Sequence, residues 1–363
     1  MTVREHFCDL WSALIGRLVR QALHPEGVAA RLNDLFSWPL ILRKERRDPD
    51  MKLLTFQVGN EAHVGLALTD SIIDLTRALR FTHPALHCND SLLAIIQAGI
   101  DIDQIGEESI ERLSQTGKLA DCTVSAPKWL PPIPRPPKIL ALALNSRGHL
   151  EESKLNFFDE PIVFAKYACN LVAHEGDIEL PPFPQVVDEE HELALVVSRD
   201  CRHLRPSQAG DYIFGYTTCN DFSARDRQRE RLKMGQPYSY AKNFASFCPM
   251  GPWIVTSREL PDPRDLKVQV RVNGEVRRKG STSDMIFDPF EVLSYCSDYT
   301  VMEAGDVISL GTYAGHKRLA TGDVIEMETE GIGVLRNRVV AARAPWPNFA
   351  AETSTGPLVK EKR

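Results

Sequence analysis

The 363-residue sequence contains no CxxC pair among its eight cysteines, no apolar run long enough to cross a bilayer and no excess of positive charge. Each lack removes a class of protein. Cysteines at 8, 88, 122, 169, 201, 219, 248 and 296 have neither zinc-ribbon spacing nor the regularity of a disulfide framework, so reduced thiols are expected. No stretch approaches the roughly 18 apolar residues of a membrane helix, and the N-terminus lacks the ordered zones of a secretory signal. A soluble, cytoplasmic protein with no membrane partner is expected. A formal charge of −6 sets up no overall field for a polyanion, despite the local cluster Arg43, Lys44, Arg46 and Arg47. Nucleic acid is therefore not an expected partner. What is present is ordinary globular composition, 43% hydrophobic and 25% charged, enough for a sizeable core.

Residues 1–50 read as an N-terminal extension, helical or poorly ordered. Leu10, Trp11, Leu14, Ile15, Leu18 and Val19 fall at helical spacing, which suits a helix packed on the body or a partner-facing or membrane-surface one. The alternative reading is an extension upstream of a true start at Met51. A small α+β domain is expected over 51–126: three short strands at 53–58, 63–68 and 72–75 separated by turn residues, then helical patterns at 91–97 and 107–113. Six prolines between Pro127 and Pro137 make a stiff extended connector and mark a domain boundary. From 138 to 345 strands dominate. Asn273-Gly274 predicts a hairpin, Asp288-Pro289 predicts a capped helix start, and Gly-Asp-Val-Ile recurs at 305–308 and 322–325 as a turn leading into a strand. Residues 346–363 read as a tail. The fold class expected is mainly β with some α.

The chemistry concentrates in acidic stretches. In Asp188-Glu-Glu-His-Glu192, which runs into the apolar Leu193–Ser198, strand alternation puts Glu190 and Glu192 on one face and His191 on the other. Two carboxylates at the mouth of a buried strand repel unless a cation or protons intervene, and hard divalent ions prefer such oxygens. The plain alternative is a solvated acidic edge. Asp221 ends another strand pattern and is either a third such carboxylate or a turn and helix cap. His149 and Glu152, three residues apart, share a face of a helical turn; they are either a surface pair or a histidine base oriented by its carboxylate.

Together these pieces resemble the fumarylacetoacetate hydrolase superfamily, over Met51 to about Val340. The motifs are Asn145–Glu152, Glu190-His-Glu192, Gly215–Gln228, Ala241-Lys-Asn-Phe244 with Cys248–Trp253, Ser283–Phe287 and Gly305–Thr312. The resemblance implies a mixed β-roll catalytic domain, usually dimeric, with Mg²⁺ (or Mn²⁺ or Ca²⁺) held by Glu190, Glu192 and Asp221. It implies that His149 and Glu152 form the catalytic dyad on a lid segment, with Lys242 polarising substrate oxygens and Gln228 and Thr312 contacting substrate. Three departures stand out. Leu142 occupies the position of a fourth carboxylate in the enzyme that names the family. Lys166-Tyr-Ala-Cys-Asn170 replaces a Lys-Pro-Ser stretch, and Gly311-Thr-Tyr-Ala-Gly-His316 replaces Gly-Thr-Pro. Both stretches line the substrate cavity in relatives, and His316 is either an additional polar contact or an unpartnered loop residue.

The expectation is a metal-dependent hydrolase cleaving a C–C bond of an acylpyruvate-like or fumarylpyruvate-like 2,4-dioxo acid. The alternatives are a decarboxylase or keto–enol isomerase using the same residues, and a catalytically silent relative acting as a binding module.

Overall fold

The computed structural model describes residues 51–69, 71–86, 90–153, 159–182, 184, 186–315 and 318–343. The helix expected at 10–19, the extension 1–50, the tail 346–363 and His316 lie outside them. By internal contacts Asp48–Arg363 forms one unit. Two sheets dominate it. The larger runs, in neighbour order, through Thr123–Val124, Ile72–Asp74, Glu61–Ala67, Lys52–Val58, Cys248–Thr256, Ile213–Asn220, His191–Val197, Val307–Ser309, Ile139–Ala143 and Ile162–Lys166. The smaller has five strands: Glu275–Ser281, Lys267–Val272, Val324–Thr329, Gly333–Ala341 and Asp177–Leu180. The class is mainly β with some α, as the sequence led one to expect.

The small meander is not separate from the large sheet. Lys52 pairs with Val255 and Leu53 with Ile254, so Lys52–Val58 continues the sheet built by the strands that follow the proline-rich segment. The proline-rich segment crosses beside this joint, where Lys128–Leu130 lies against Thr55–Gln57. Thr55 Oγ1 donates to the Pro132 carbonyl at 2.6 Å, anchoring the segment.

Local chemistry explains the elements that position the site. His191–Val197 reads HELALVV and is buried at every residue, as an interior strand covered on both faces must be. Lys267–Val272 alternates between buried positions and exposed or half-buried ones, because one face of its sheet is turned toward solvent. Asn273 and Gly274 both take positive φ, 54° and 80°, the geometry of the two-residue hairpin. In both Gly-Asp-Val-Ile copies the aspartate accepts a backbone N–H from three residues earlier: Asp306 from Glu303 at 2.6 Å, Asp323 from Ala320 at 2.8 Å. The repeat is thus a turn that launches a strand. Asp288 caps Pro289–Tyr299 and Glu291 bonds back to the cap's N–H.

The helix Arg225–Lys233, sequence RDRQRERLK, carries no apolar stripe, and periodicity does not reveal it. It sits at the mouth of the site. Among the described residues no helix is long and apolar enough to cross a membrane, and Cys122, Cys169, Cys201, Cys219, Cys248 and Cys296 are free thiols.

Candidate metal and substrate site

Antiparallel pairing brings the acidic residues together. The start of His191–Val197 lies beside the end of Ile213–Asn220, with His191 opposite Asn220 and Glu192 opposite Cys219. The Asp221 N–H donates to the Glu190 carbonyl at 2.9 Å and extends this pairing by one step. One ligand oxygen from each of Glu190, Glu192 and Asp221 lies within 4.8 Å of the others, and all three residues are buried. His191 points the opposite way, its Nε2 2.9 Å from Thr329 Oγ1 on the five-stranded sheet. Burial, with Arg278 nearby, depresses its pKa to about 3, so it is neutral.

The three carboxylates differ in their counter-charges. Glu190 contacts Arg225 and Lys242; burial opposes its charge, but those two cations hold it well below the usual carboxylate range. Asp221 contacts Lys166 on one oxygen and Lys242 at 2.5 Å on the other. Lys166 also donates to the carbonyls of Lys242 at 2.7 Å and Phe247 at 2.9 Å, which accounts for its three protons. Burial works against its charge, and Asp221 overcomes that and keeps it an ammonium.

Among the described residues, Glu192 has no cation in ion-pair contact. Its Oε2 accepts from Ser309 Oγ at 2.6 Å and Gly311 N at 3.0 Å, while Oε1 is buried with no hydrogen-bond partner among the described residues. Burial, then Asp221 and Glu190, push its pKa well above the usual range. A buried carboxylate oxygen beside two other carboxylates, lacking a donor, suits a hard divalent cation. Gly311 makes this possible: its φ is +91°, and a Cβ there would come within 2.9 Å of Asn145 Cβ.

His149 lies on Arg147–Ser153, whose first turn is held from the Ser283–Phe287 motif. Asp284 Oδ2 accepts from Ser146 Oγ at 2.5 Å and from the Gly148 N–H at 3.3 Å. Asn145 bonds the backbone of Phe287 in both directions and the carbonyl of Leu310. Leu144, between this staple and the strand Ile139–Ala143, is forced to φ 58°, a strained value for leucine. His149 Nδ1 is 3.8 Å from Glu152 Oε2, ion-pair range but longer than a hydrogen bond, and Glu152 Oε2 accepts the Gly315 N–H at 3.1 Å. Burial depresses the His149 pKa against the pull of Glu190, which favours the neutral imidazole.

A cavity of about 190 Å³ connects these groups. His149, Glu190, Gln228, Lys242 and Thr312 line it, whereas Glu192 and Asp221 lie beneath. Arg225 Nη1 donates to Gln228 Oε1 at 2.9 Å, which leaves the Gln228 amide protons as donors. Leu142 is part of the wall, so no fourth carboxylate stands at that position. Of the two stretches expected to line the cavity, Thr312 does so; Tyr313 is buried against His191 and Lys166–Asn170 forms no part of the wall. The sequence reading missed Arg225, Arg229, Tyr238 and the structural role of Lys166. The spacing 225, 228, 229, 232 on one helical face would have exposed the first two, had the helix been recognised.

A sheet-built site with three clustered carboxylates and a histidine lining the adjoining cavity fits the class of metal-carboxylate enzymes. Residues 138–340 match the fumarylacetoacetate (FAA) hydrolase C-terminal family, and the chain belongs to it. Enzymes of that family bind a divalent metal. A mitochondrial oxaloacetate tautomerase of Bos taurus is 32% identical over 304 residues, 80% of this chain and 92% of that one. A fumarylacetoacetate hydrolase from the psychrophile Exiguobacterium antarcticum superposes with a TM-score of 0.66 at 32% identity, covering 80% of this chain and 100% of that one. A maleylpyruvate hydrolase from Sphingobium sp. SYK-6, solved with manganese(II) and pyruvate, gives a TM-score of 0.64 at 26% identity, with coverage of 81% and 100%.

Proposed function

We propose that this chain is a metal-dependent enzyme of 2-oxo acids in which His149 moves a proton at the carbon next to the oxo group, interconverting keto and enol forms. The observation that carries this reading is His149 itself: neutral, buried and facing the cavity beside Glu190. Glu190, Glu192 and Asp221 would hold Mg²⁺ or Mn²⁺, which supplies a Lewis acid and a template for the 2-oxo carboxylate.

The chain's own residues do the rest. Neutral His149 takes a proton from carbon 3, and the released electron pair forms the C2–C3 double bond while charge moves to the 2-oxo oxygen. Lys242 Nζ and the Gln228 amide donate hydrogen bonds to that oxygen. Glu152 stabilises the imidazolium formed. Return of the proton to oxygen completes the enol and restores neutral His149. Thr312, also in the cavity lining, contacts the substrate. The similarity to an oxaloacetate tautomerase over 304 residues supports this chemistry.

The hydrolytic reading stands second, favoured by the similarity to a maleylpyruvate hydrolase. In it, His149 deprotonates a water that attacks the 4-carbonyl of a 2,4-dioxo acid, and the C3–C4 bond breaks to give an acid and pyruvate enol.

The test uses the full chain, stripped of metal and then resupplied with Mg²⁺ or Mn²⁺, against oxaloacetate, acetylpyruvate and fumarylpyruvate. Metal-restored keto–enol interconversion without pyruvate release supports the leading reading. Release of pyruvate plus a second acid replaces it with the hydrolytic one. Absence of metal-dependent turnover on all three rejects both for these substrates.

A further inference from the structure

The helix Arg225–Lys233 carries an arginine at every second position from 225 to 231. Three of the four have partners. Arg225 is held by Asp188 and Glu190, Arg227 by Glu230 at 2.9 Å, and Arg231 by Gln236 at 2.9 Å while lying 4.5 Å over the Tyr240 ring. Arg229 makes no hydrogen bond or ion pair among the described residues, is exposed, and lines the cavity.

Its place on the helix sets its direction from the deep end. Residues 225, 228, 229 and 232 share one face, and all four border the cavity. Arg225 contacts Glu190, one of the three clustered carboxylates. Arg229 is one turn on, about 6 Å along the axis, which is the reach of a short carbon chain. The lining also includes Leu142, Leu144 and Tyr238, and Leu232 on the same helical face as Arg229. The one acidic residue of the lining, Glu190, is already engaged by Arg225 and Lys242. An anionic group at the outer end of a bound molecule therefore meets Arg229, whose field otherwise reaches Asp188, a carboxylate already held by Arg225.

We propose that Arg229 reads a second carboxylate, so that the cavity selects 2-oxo acids bearing a distal acid group over 2-oxo monoacids. This rests on the reading of the site as one for metal-held 2-oxo acids. A guanidinium suits the task because its planar donors match a carboxylate in pairs. Water shares the contact, so the expected preference is about tenfold and falls with added salt.

The experiment compares 2-oxoglutarate with 2-oxopentanoate, which differ only in a terminal carboxylate against a methyl group. Binding to the Mn²⁺-loaded full chain is read by water-proton relaxation, which reports displacement of water from the ion independently of turnover. The wild type is expected to bind the diacid about tenfold more tightly. Arg229→Gln removes that preference and leaves the monoacid unchanged, whereas Arg229→Lys keeps part of it. Equal binding of the two acids by the wild type, or a preference that survives Arg229→Gln, overturns the assignment while leaving the 2-oxo acid site intact. If neither acid perturbs the Mn²⁺ relaxation signal, the 2-oxo acid reading fails and the Arg229 assignment fails with it.

Discussion

Glu189 and Arg278 form an ion pair buried between the two sheets, and the same guanidinium donates to the Tyr313 carbonyl at 2.7 Å and Thr312 Oγ1 at 3.3 Å. Arg278 belongs to the five-stranded sheet and Glu189 to the edge of the carboxylate cluster, so this contact ties the Thr312 wall to the second sheet. Burial pushes the Glu189 pKa up to about 7 even against Arg278.

Breaking such a pair strands a charge. Arg278→Met is expected to lower the unfolding free energy by about 3–5 kcal/mol, and the double variant Glu189→Leu/Arg278→Met to recover most of that loss. Urea denaturation of the three proteins checks this. A double variant as unstable as the single one would show that the pair does more than neutralise itself.

Glu192 gives a prediction whose sign reverses with metal. Its pKa is raised by burial and by Asp221 and Glu190, so the folded state without metal is stabilised by neutralising it. Glu192→Gln should melt higher than the wild type after chelation. With Mn²⁺ added, the wild type should gain about 2.7 kcal/mol at a concentration 100 times its dissociation constant, and the variant should gain little. Calorimetry with and without Mn²⁺ reads both arms.

His149→Gln is expected to cut kcat by about 10²- to 10⁴-fold, the usual contribution of a positioned general base. Mn²⁺ affinity should stay within about twofold, because His149 is outside the carboxylate cluster. Glu152→Gln should lose less, because the 3.8 Å separation makes it an orienting charge and not a hydrogen-bonded partner. Loss of metal together with activity in His149→Gln would refute the division of roles.

His174 supplies a pH dependence away from the site. Its Nδ1 accepts the Arg336 N–H at 3.1 Å, and burial depresses its pKa, so the folded protein holds it neutral. The unfolded chain protonates near the ordinary histidine value of about 6.5. The stabilisation is therefore complete above that value and is lost as pH falls toward the lower folded pKa, by at most about 1.4 kcal/mol per pH unit. His174→Asn, which offers an acceptor oxygen but does not titrate, should flatten urea midpoints between pH 7 and 5.

Much of the fold was legible because it rests on alternation and turn chemistry. The hairpin at Asn273-Gly274, the Asp288 cap and the division of Glu190 and Glu192 from His191 all follow from period-two geometry and short-range donors. What escaped was long-range. Lys166 meets Asp221 across 55 residues and Arg278 meets Glu189 across 89, and no local pattern links such pairs. The helix Arg225–Lys233 was hidden for another reason: its inward face is polar because it borders a cavity, so the usual apolar stripe is missing.

The joint at Lys52–Val58 has a consequence for how the chain can be divided. Residues 51–126 shield a flank: Lys52 and Leu53 satisfy the outer backbone of Val255 and Ile254, and Leu53, Leu54 and Phe56 are wholly covered. Removing them would leave Cys248–Thr256 as a raw, adhesive margin, free to recruit strands from other molecules. The meander covers that margin, and a truncated protein starting at the proline-rich segment is expected to precipitate even with every site residue in place.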